Sequence, residues 1–326
     1  MTQWTRDEIL RLARNFMEAR VLLTAADLDL FTRIGEHPAS AHDLAQGLGG
    51  DARALTMLLD ALASMGLLTK AEGVYALSPA AAQYLTKNAP QSVLPLVKHQ
   101  ANLWNTWSTL TQKILGPNGR APQEGDDALE AFIEAMHVIA TPQADAIVAS
   151  AGAAQATKLL DVGGGPGTYT AAFLRAIPTL HATLFDRPPV LEIAKRHLAE
   201  AGLLHRVRLA PGDFTVDPLP EGHDFAWVSA IIHQNGPQEN IDLFRKVHAA
   251  LVPGGRIIIR DHVMAPDRTA PRSGALFAIN MLVGTREGGT YTLEEIRTWL
   301  ETAGFTGVRS LREGTNMDSL VEAYRP

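Results

Sequence analysis

The chain has 326 residues, of which 46% are hydrophobic and 20% are charged, and its formal net charge is −6. This length fits two domains, and this charge gives no overall attraction to nucleic acid or to an anionic membrane. The sequence holds no cysteine, which excludes disulfides, thiolate metal sites and cysteine nucleophiles. Since no secretory leader and no apolar run of membrane-spanning length is visible, we expect a cytoplasmic protein without a membrane partner.

The N-terminal part of the chain predicts short helices and a β-wing. Apolar residues recur at helical spacing over residues 9–31. Ser40 and Asp51 stand at helix N-cap positions, and two short strands are expected around a turn at Glu72 and Gly73. This order of helix, turn, helix and wing predicts a winged-helix domain that is all-helical apart from the wing.

A winged helix can bind DNA or can form a dimer. The candidate recognition helix, residues 51–66, carries Arg53 as its one cation together with two aspartates. That is a poor surface for phosphate contacts, so a DNA-binding regulator is the less favoured alternative. The apolar helix faces exceed what so small a domain can bury alone, which predicts a homodimer formed through this domain.

The C-terminal half alternates short apolar runs with amphipathic helices. The runs are KLLDVGG, ATLFD, VRLAPGD, DFAWVSAII and RIIIRDHVM. Such alternation predicts an α/β domain with a doubly wound, mostly parallel sheet, in which ligands bind outside the carboxyl ends of the strands. We therefore predict a winged-helix domain over residues 1–100, a helical linker with pocket helices over 101–155, and a catalytic domain over 156–326.

A glycine-rich turn, DVGGGPG, follows the first strand of the predicted sheet. Asp161, Gly163 and Gly165 lie in it, and a helix starts directly after it. Glycines allow the backbone to approach a ligand closely, and the N–H groups at the helix start point towards that ligand. A dinucleotide fingerprint would need glycine where Thr168 stands, which disfavours a nicotinamide dehydrogenase, and the turn lacks the Lys-Ser/Thr pair of a phosphate loop.

Further polar residues follow the next strands, at the same predicted edge. The carboxylate of Asp186 could accept the two hydroxyls of a ribose, although a turn or cap aspartate would look the same. Asp213 could accept from an adenine amino group while Phe214 lies against the ring; ordinary turn chemistry is the alternative. Arg187 and Ser229, also at strand ends, are candidates for the same cofactor site.

His233 comes after the fourth strand, where an acceptor substrate would meet the cofactor. A neutral imidazole there can take a proton from a phenol near pH 7. Asp261 ends the neighbouring fifth strand and could hold the imidazole in one tautomer. The candidates for the acceptor pocket are Trp104, Met136, Asn280 and Met281, although a tryptophan or methionine at helical spacing more often belongs to the core. No metal site is expected, because His99, His137 and His262 have no partners at metal-ligand spacing.

With these motifs together, the chain resembles the small-molecule O-methyltransferases of the plant caffeate type and their bacterial relatives. The likeness extends from the winged helix through FIEAM, DVGGGPG, LFDRP, GDF and the histidine after the strand to VPGGRIIIRD. It implies a class I, Rossmann-like methyltransferase domain, a dimerisation domain, and S-adenosylmethionine as cofactor, with S-adenosylhomocysteine as product. It further implies methylation of an aromatic hydroxyl on a small acceptor, with His233 as general base and Asp261 orienting it.

By the same resemblance, Gly163, Gly165, Asp186, Asp213 and Phe214 would bind the cofactor. Two departures from the family pattern keep other functions open. The sequence Gln-Asn-Gly replaces the usual Asp-Trp after the histidine, and the run GGTYT stands where the family often carries a second acid. N- or C-methylation driven by proximity, or a family member that has lost methyl transfer, are therefore the alternatives.

Overall fold

The computed structural model describes residues 4–115 and 126–326. Its helices are α1 (Arg6–Arg14), α2 (Phe16–Asp27), α3 (Leu30–Glu36), α4 (Ala41–Leu48), α5 (Ala52–Ser64), α6 (Pro79–Tyr84), α7 (Leu94–Trp107), α8 (Leu110–Leu115), α9 (Asp126–Ser150), α10 (Thr168–Ala176), α11 (Pro188–Glu200), α12 (Pro237–Ala250), α13 (Arg272–Gly284) and α14 (Leu293–Thr302). Its strands are β1 (Ala39–Ser40), β2 (Leu68–Ala71), β3 (Val74–Leu77), β4 (Lys158–Val162), β5 (His181–Asp186), β6 (Val207–Pro211), β7 (His223–Ser229), β8 (Leu251–Asp261), β9 (Val263–Met264), β10 (Tyr291–Thr292), β11 (Thr306–Arg312) and β12 (Ser319–Tyr324).

The chain divides into two compact units. The first holds the N-terminal residues as far as 122 together with residues 264–283, and the second holds 123–263 and 284–326. Helix α13 therefore belongs with the N-terminal elements, which the sequence did not suggest. The helical segment predicted between the domains is shared, since α8 lies in the first unit and α9 in the second.

The first unit has the order of elements that the sequence predicts. Ser40 accepts a hydrogen bond from the Asp43 backbone, and Asp51 accepts one from Ala54, so both caps are confirmed. A three-stranded antiparallel sheet of order β1-β3-β2 forms the wing. The prediction of a domain that is all-helical apart from two strands was wrong in one respect. β1, immediately before the Ser40 cap, adds a third strand to the wing.

The second unit is built on a seven-stranded sheet of order β11-β12-β8-β7-β4-β5-β6. The five strands from β8 to β6 are parallel neighbours, as the alternating pattern predicts. β12 and β11 continue the sheet in antiparallel fashion. The sequence analysis did not identify these last two strands, although β12 is buried along most of its length.

Apolar side chains cover both faces of this sheet. On one face Phe173 of α10 packs edge-on against Phe225 and Trp227 of β7. On the other face Phe244 of α12 and Ile296 of α14 belong to the largest buried apolar cluster. Because both faces are covered, the side chains that remain available for chemistry lie at the carboxyl edge of the sheet.

No helix within residues 4–115 and 126–326 is both long enough and apolar enough to cross a bilayer.

Candidate active site

The glycine turn connects β4 to α10 at the carboxyl edge of the sheet. The Gly163 N–H donates to the Phe185 carbonyl at 2.8 Å, which fixes the turn to β5. Gly163 and Gly165 have φ angles of 64° and 55°, values that favour glycine. A Cβ on Gly163 would lie 2.5 Å from the Ile231 side chain, whereas a Cβ on Gly165 would meet no atom within 4 Å. The turn is thus packed at its first glycine and open at Gly165.

Asp186 at the end of β5 holds the open part of the turn. One carboxylate oxygen accepts from the Gly165 N–H at 2.8 Å, and the other accepts from the Arg187 N–H at 2.7 Å. Burial raises the pKa of this carboxyl group. Each carboxylate oxygen has a second lone pair, so both can still accept a ligand hydroxyl. Arg187 is exposed and occupies the N-cap position of α11, where its side chain makes no capping hydrogen bond.

Asp161 lies below the turn and is 2% exposed. The Thr170 hydroxyl of α10 donates to its carboxylate at 2.5 Å. A Cβ on Gly164 would lie 3.0 Å from the Asp161 Cγ, so the turn passes directly over this side chain. Burial raises the pKa of Asp161 to about 7. The structure therefore places this predicted cofactor residue as a support for the turn and for the first turns of α10.

Asp213 and Phe214 follow β6 and differ in what they contact. One Asp213 oxygen accepts from the Thr215 N–H at 2.8 Å and from the Thr215 hydroxyl at 2.6 Å. These two bonds lower the pKa of Asp213 and form a local turn. The Phe214 ring lies 3.5 Å from the Cβ position of Gly163, so it borders the glycine turn as a cofactor-stacking residue would.

Ser229, the last residue of β7, is held from the next strand. Its hydroxyl accepts from the Arg260 guanidinium at 3.1 Å. Arg260 is 5% exposed and stacks over the Tyr169 ring at 4.9 Å from its centroid. Ser229 is therefore engaged with a buried cation at the edge where the sequence places the cofactor.

The two predicted catalytic residues, His233 and Asp261, contact each other. His233 lies in a short 3-10 turn, Ile232–Gln234, after β7, and Asp261 ends β8. The His233 Nδ1 is 3.0 and 2.9 Å from the two Asp261 carboxylate oxygens. With its proton on Nδ1 bonded to this carboxylate, the neutral imidazole carries its lone pair on Nε2.

The charge of Asp261 is set by its neighbours. The side chain is 1% exposed, and burial alone would favour its neutral form. The facing His233 imidazole and the His262 N–H, which donates at 2.8 Å, nevertheless lower the pKa of Asp261. Asp261 is thus a buried carboxylate that keeps its negative charge. Burial lowers the pKa of the adjacent His262 to about 4, so that imidazole is neutral near pH 7.

Comparison with known proteins gives the same family over almost the whole chain. An O-methyltransferase domain model matches residues 119–306, and an O-methyltransferase dimerisation domain model matches residues 10–87. The tetracenomycin polyketide synthesis 8-O-methyl transferase of Streptomyces glaucescens is 32% identical over 313 residues, which cover 93% of this chain and 92% of that protein.

The chain belongs to the S-adenosylmethionine-dependent O-methyltransferase family. The 3-hydroxy-5-methyl-1-naphthoate 3-O-methyltransferase of Streptomyces sahachiroi is also 32% identical, over 92% of this chain and 90% of its own. The crystal structure of an O-methyltransferase family 2 protein from Planctomyces limnophilus in complex with apigenin matches with a TM-score of 0.83 at 27% identity. That match covers 100% of this chain and 98% of the other.

Family membership decides one alternative that the sequence left open and bears on a second. The second unit is a methyltransferase domain and not that of a nicotinamide dehydrogenase. The winged-helix region matches a dimerisation domain, which agrees with the dimer interpretation of its apolar helix faces.

The four predicted substrate residues of this O-methyltransferase do not form one cluster within either unit. Trp104 lies in the first unit, where Phe16 and the Arg20 guanidinium contact its ring. Asn280 is exposed and Met281 is buried, both on α13 of the first unit. Met136, half-buried on α9, is the one member in the same unit as His233.

Two residues that hold the histidine turn were not predicted from the sequence. Asn240 donates from its side chain to the Ile232 carbonyl at 2.9 Å, and the Tyr291 hydroxyl donates to the Asn235 carbonyl. Asn240 is fully buried in an otherwise amphipathic helix, and a buried asparagine is the local signal that could have indicated this role.

Over residues 4–115 and 126–326, no cluster of three or more histidine, aspartate or glutamate side chains could hold a metal ion.

Proposed function

We propose that this protein transfers the methyl group of S-adenosylmethionine to a hydroxyl of a small aromatic acceptor, with His233 as general base. The observation that carries the proposal is the contact of the His233 Nδ1 with both oxygens of buried, charged Asp261. Supporting it, the relatives named above include O-methyltransferases of a polyketide and of a hydroxynaphthoate, and a structure in complex with apigenin.

The glycine turn fits the proposed cofactor. Gly165 faces open space, and the neighbouring Asp186 carboxylate has lone pairs for ribose hydroxyls. The Phe214 ring beside Gly163 offers an apolar surface for the adenine. Asp213 would take part through a carboxylate that already closes its own turn, so we expect a smaller contribution from it than from Asp186.

When bound, the cofactor supplies an electrophilic methyl group on a positively charged sulfur. His233 would accept the acceptor's hydroxyl proton at Nε2 while the oxygen–carbon bond forms and the carbon–sulfur bond breaks. Asp261 stabilises the resulting imidazolium by its charge and holds the ring by its two short contacts. A general base of this kind contributes about 10²–10⁴-fold to a rate. We propose no metal in this reaction.

The direct test is methyl transfer from radiolabelled S-adenosylmethionine to matched acceptors. A phenol, the corresponding aniline and the corresponding methyl ether are compared in the presence and absence of EDTA. We expect label in the phenol only, with equal rates in both conditions. Transfer to the aniline in preference to the phenol would contradict O-methylation, and loss of activity in EDTA would contradict a metal-free reaction. Calorimetry with S-adenosylmethionine and with NAD checks the cofactor.

We also propose that the protein is a homodimer formed through its first unit. Helix α1 has no buried residue, and its apolar side chains Ile9 and Leu12 are 54% and 59% exposed. Such a face is typical of an interaction surface. Light scattering at micromolar concentration should give twice the chain mass, and replacing Ile9 and Leu12 by Asp together should give the monomer. A wild-type monomer would contradict the proposal.

A further inference from the structure

The turn that carries His233 is held by hydrogen bonds from two separate segments of the second unit. From α12, the Asn240 side chain donates to the Ile232 carbonyl at 2.9 Å and accepts from the Asn235 amide at 3.2 Å. From the segment before α14, the Gly289 N–H donates to the His233 carbonyl at 2.8 Å. The carbonyl groups of Ile232 and His233 and the side-chain amide of Asn235 therefore have fixed partners.

Tyr291 provides the contact on the far side of the turn. Its hydroxyl donates to the Asn235 carbonyl, 56 residues away in sequence. Its ring is 6% exposed and packs edge-on against Trp299, with centroids 4.6 Å apart. A buried hydroxyl that loses its acceptor is unfavourable, so the Asn235 carbonyl and the phenol hold one another in place.

The backbone of residues 288–289 packs closely against the histidine turn. A Cβ on Gly288 would lie 2.5 Å from the His233 carbonyl oxygen. The backbone of residues 288–289 therefore lies directly against the histidine, and Tyr291 follows it by two residues. A shift of Tyr291 would be transmitted to the turn by this packing as well as by its own hydrogen bond.

We propose that Tyr291 is a positioning residue for the general base. Its hydroxyl fixes the Asn235 carbonyl, which keeps the turn at the place where the His233 Nδ1 reaches both oxygens of Asp261. Tyr291 acts through the turn and takes no proton itself. The inference rests on the proposed role of His233 as base.

The test variant is Tyr291→Phe, which keeps the ring against Trp299 and removes only the hydroxyl. Misplacement of a catalytic group by a fraction of an ångström lowers the rate, since a shift of about 1 Å can cost about 10²-fold. We expect kcat to fall about 3- to 10-fold with a phenolic acceptor, with KM and the Kd of S-adenosylmethionine within about twofold of wild type.

The pH profile separates positioning from a general weakening of the fold. A phenol ionises by itself near pH 10, and a phenolate needs no base. The deficit of Tyr291→Phe should therefore shrink as the pH approaches the acceptor's own pKa. A deficit that stays constant over the whole pH range would overturn the proposal.

A double-mutant cycle gives a second measurement. If Tyr291 acts through His233, then Tyr291→Phe should have no further effect on kcat in a His233→Ala background. Tyr169→Phe is the matched control, because its hydroxyl is also buried but has no hydrogen-bond partner among the described residues. It should leave kcat unchanged. Additive losses in the cycle would overturn the positioning role.

The outcomes also distinguish this inference from the proposed function. A large loss in His233→Ala with wild-type behaviour of Tyr291→Phe overturns the inference alone. Near-normal turnover of His233→Ala overturns the proposed base, and with it the inference. If Tyr291→Phe melts below the assay temperature, the kinetics are measured for both proteins at a temperature below its Tm. The same pH-dependent deficit is expected there, and its absence would overturn the inference.

Discussion

Two buried carboxylates at the same edge of the sheet have opposite electrostatic environments. Asp161 of β4 is 2% exposed and Asp261 of β8 is 1% exposed. Asp161 accepts from the Thr170 hydroxyl and has its pKa raised by burial to about 7. Asp261 faces the His233 imidazole, and its pKa is lowered although burial acts against it. Burial is therefore equal at the two sites, and the partner decides the charge.

The difference indicates that the glycine-turn region and the histidine region have different roles. The glycine-turn region holds an acid that is easily kept neutral, and such a group can support a tightly packed loop without a cation nearby. The histidine region holds an acid that stays charged, and a fixed negative charge stabilises a developing imidazolium. Substitutions in the first region should change binding or stability, and substitutions in the second should change turnover.

The largest expected effect is on turnover. His233→Ala removes the proposed base, and kcat with a phenolic acceptor should fall by about 10²-fold or more. The Kd of S-adenosylmethionine should stay the same, because Gly165 and Asp186 are unchanged. His181→Ala, an exposed histidine at the start of β5, is the matched control and should behave as wild type. Near-normal turnover of His233→Ala would contradict the claim that the histidine region determines turnover.

The next effect concerns cofactor affinity. Asp186→Asn removes a charge that would accept ribose hydroxyls, and hydrogen bonds to charged groups contribute about 1.5–3 kcal/mol each. The Kd of S-adenosylmethionine should rise about 10- to 10²-fold, while kcat at saturating cofactor stays within about twofold. Titration calorimetry measures the first quantity and steady-state kinetics the second. An unchanged Kd together with a reduced kcat would contradict the role of Asp186 in cofactor binding.

A smaller effect on turnover is expected for Asp261→Asn. The amide oxygen can still accept from the His233 Nδ1–H, but the charge that stabilises the imidazolium is lost. We expect kcat to fall on the order of 10-fold, less than in His233→Ala, because Asp261 orients and stabilises the base without taking the proton itself. A loss as large as that of His233→Ala would mean that the charge, and not only the orientation, is essential.

In these two regions the sequence predicted the features that depend on local patterns and did not predict those that depend on long-range contacts. Local patterns predicted the five parallel strands, the glycine turn and the placement of His233 beside Asp261, because a strand end and the residue after it are local features. The sequence analysis did not identify the contact between Tyr291 and Asn235, since no periodicity links two residues 56 positions apart. It also missed the membership of residues 264–283 in the first unit, since only long-range contacts determine it.

The antiparallel strand β12, which lies between β11 and β8, shows a second limit. Its Glu322 is fully buried and forms ion pairs with Arg256 and Arg309 from the neighbouring strands. From sequence alone, a charged residue in a short apolar run is expected to face solvent. Only the pairing of β12 with β8 and β11 supplies the two cations that allow its burial.

The smallest effect on activity is expected at Asp161. Asp161→Asn keeps an acceptor for the Thr170 hydroxyl, so kcat should stay within about twofold of wild type because the residue does not touch the reacting groups. Its effect should appear instead in the pH dependence of stability. The folded pKa of about 7 lies above the ordinary value of 3.8, so the folded protein keeps a proton that the unfolded chain releases.

Where the unfolded state binds fewer protons than the folded state, the free energy of unfolding falls as pH rises. Wild type should therefore lose stability between about pH 4 and pH 7, at up to about 1.4 kcal/mol per unit of pKa difference. Asp161→Asn lacks this loss, so chemical denaturation over that range should give a flatter profile. The free energy of unfolding of the variant should therefore rise relative to that of wild type towards neutral pH.

Asp261→Asn provides the opposite control. The lowered pKa of Asp261 makes its charge stabilising above pH 4, so removal of this charge should destabilise the protein at neutral pH. Parallel profiles for wild type and Asp161→Asn would show that Asp161 is charged in the folded protein and that the two acids do not differ.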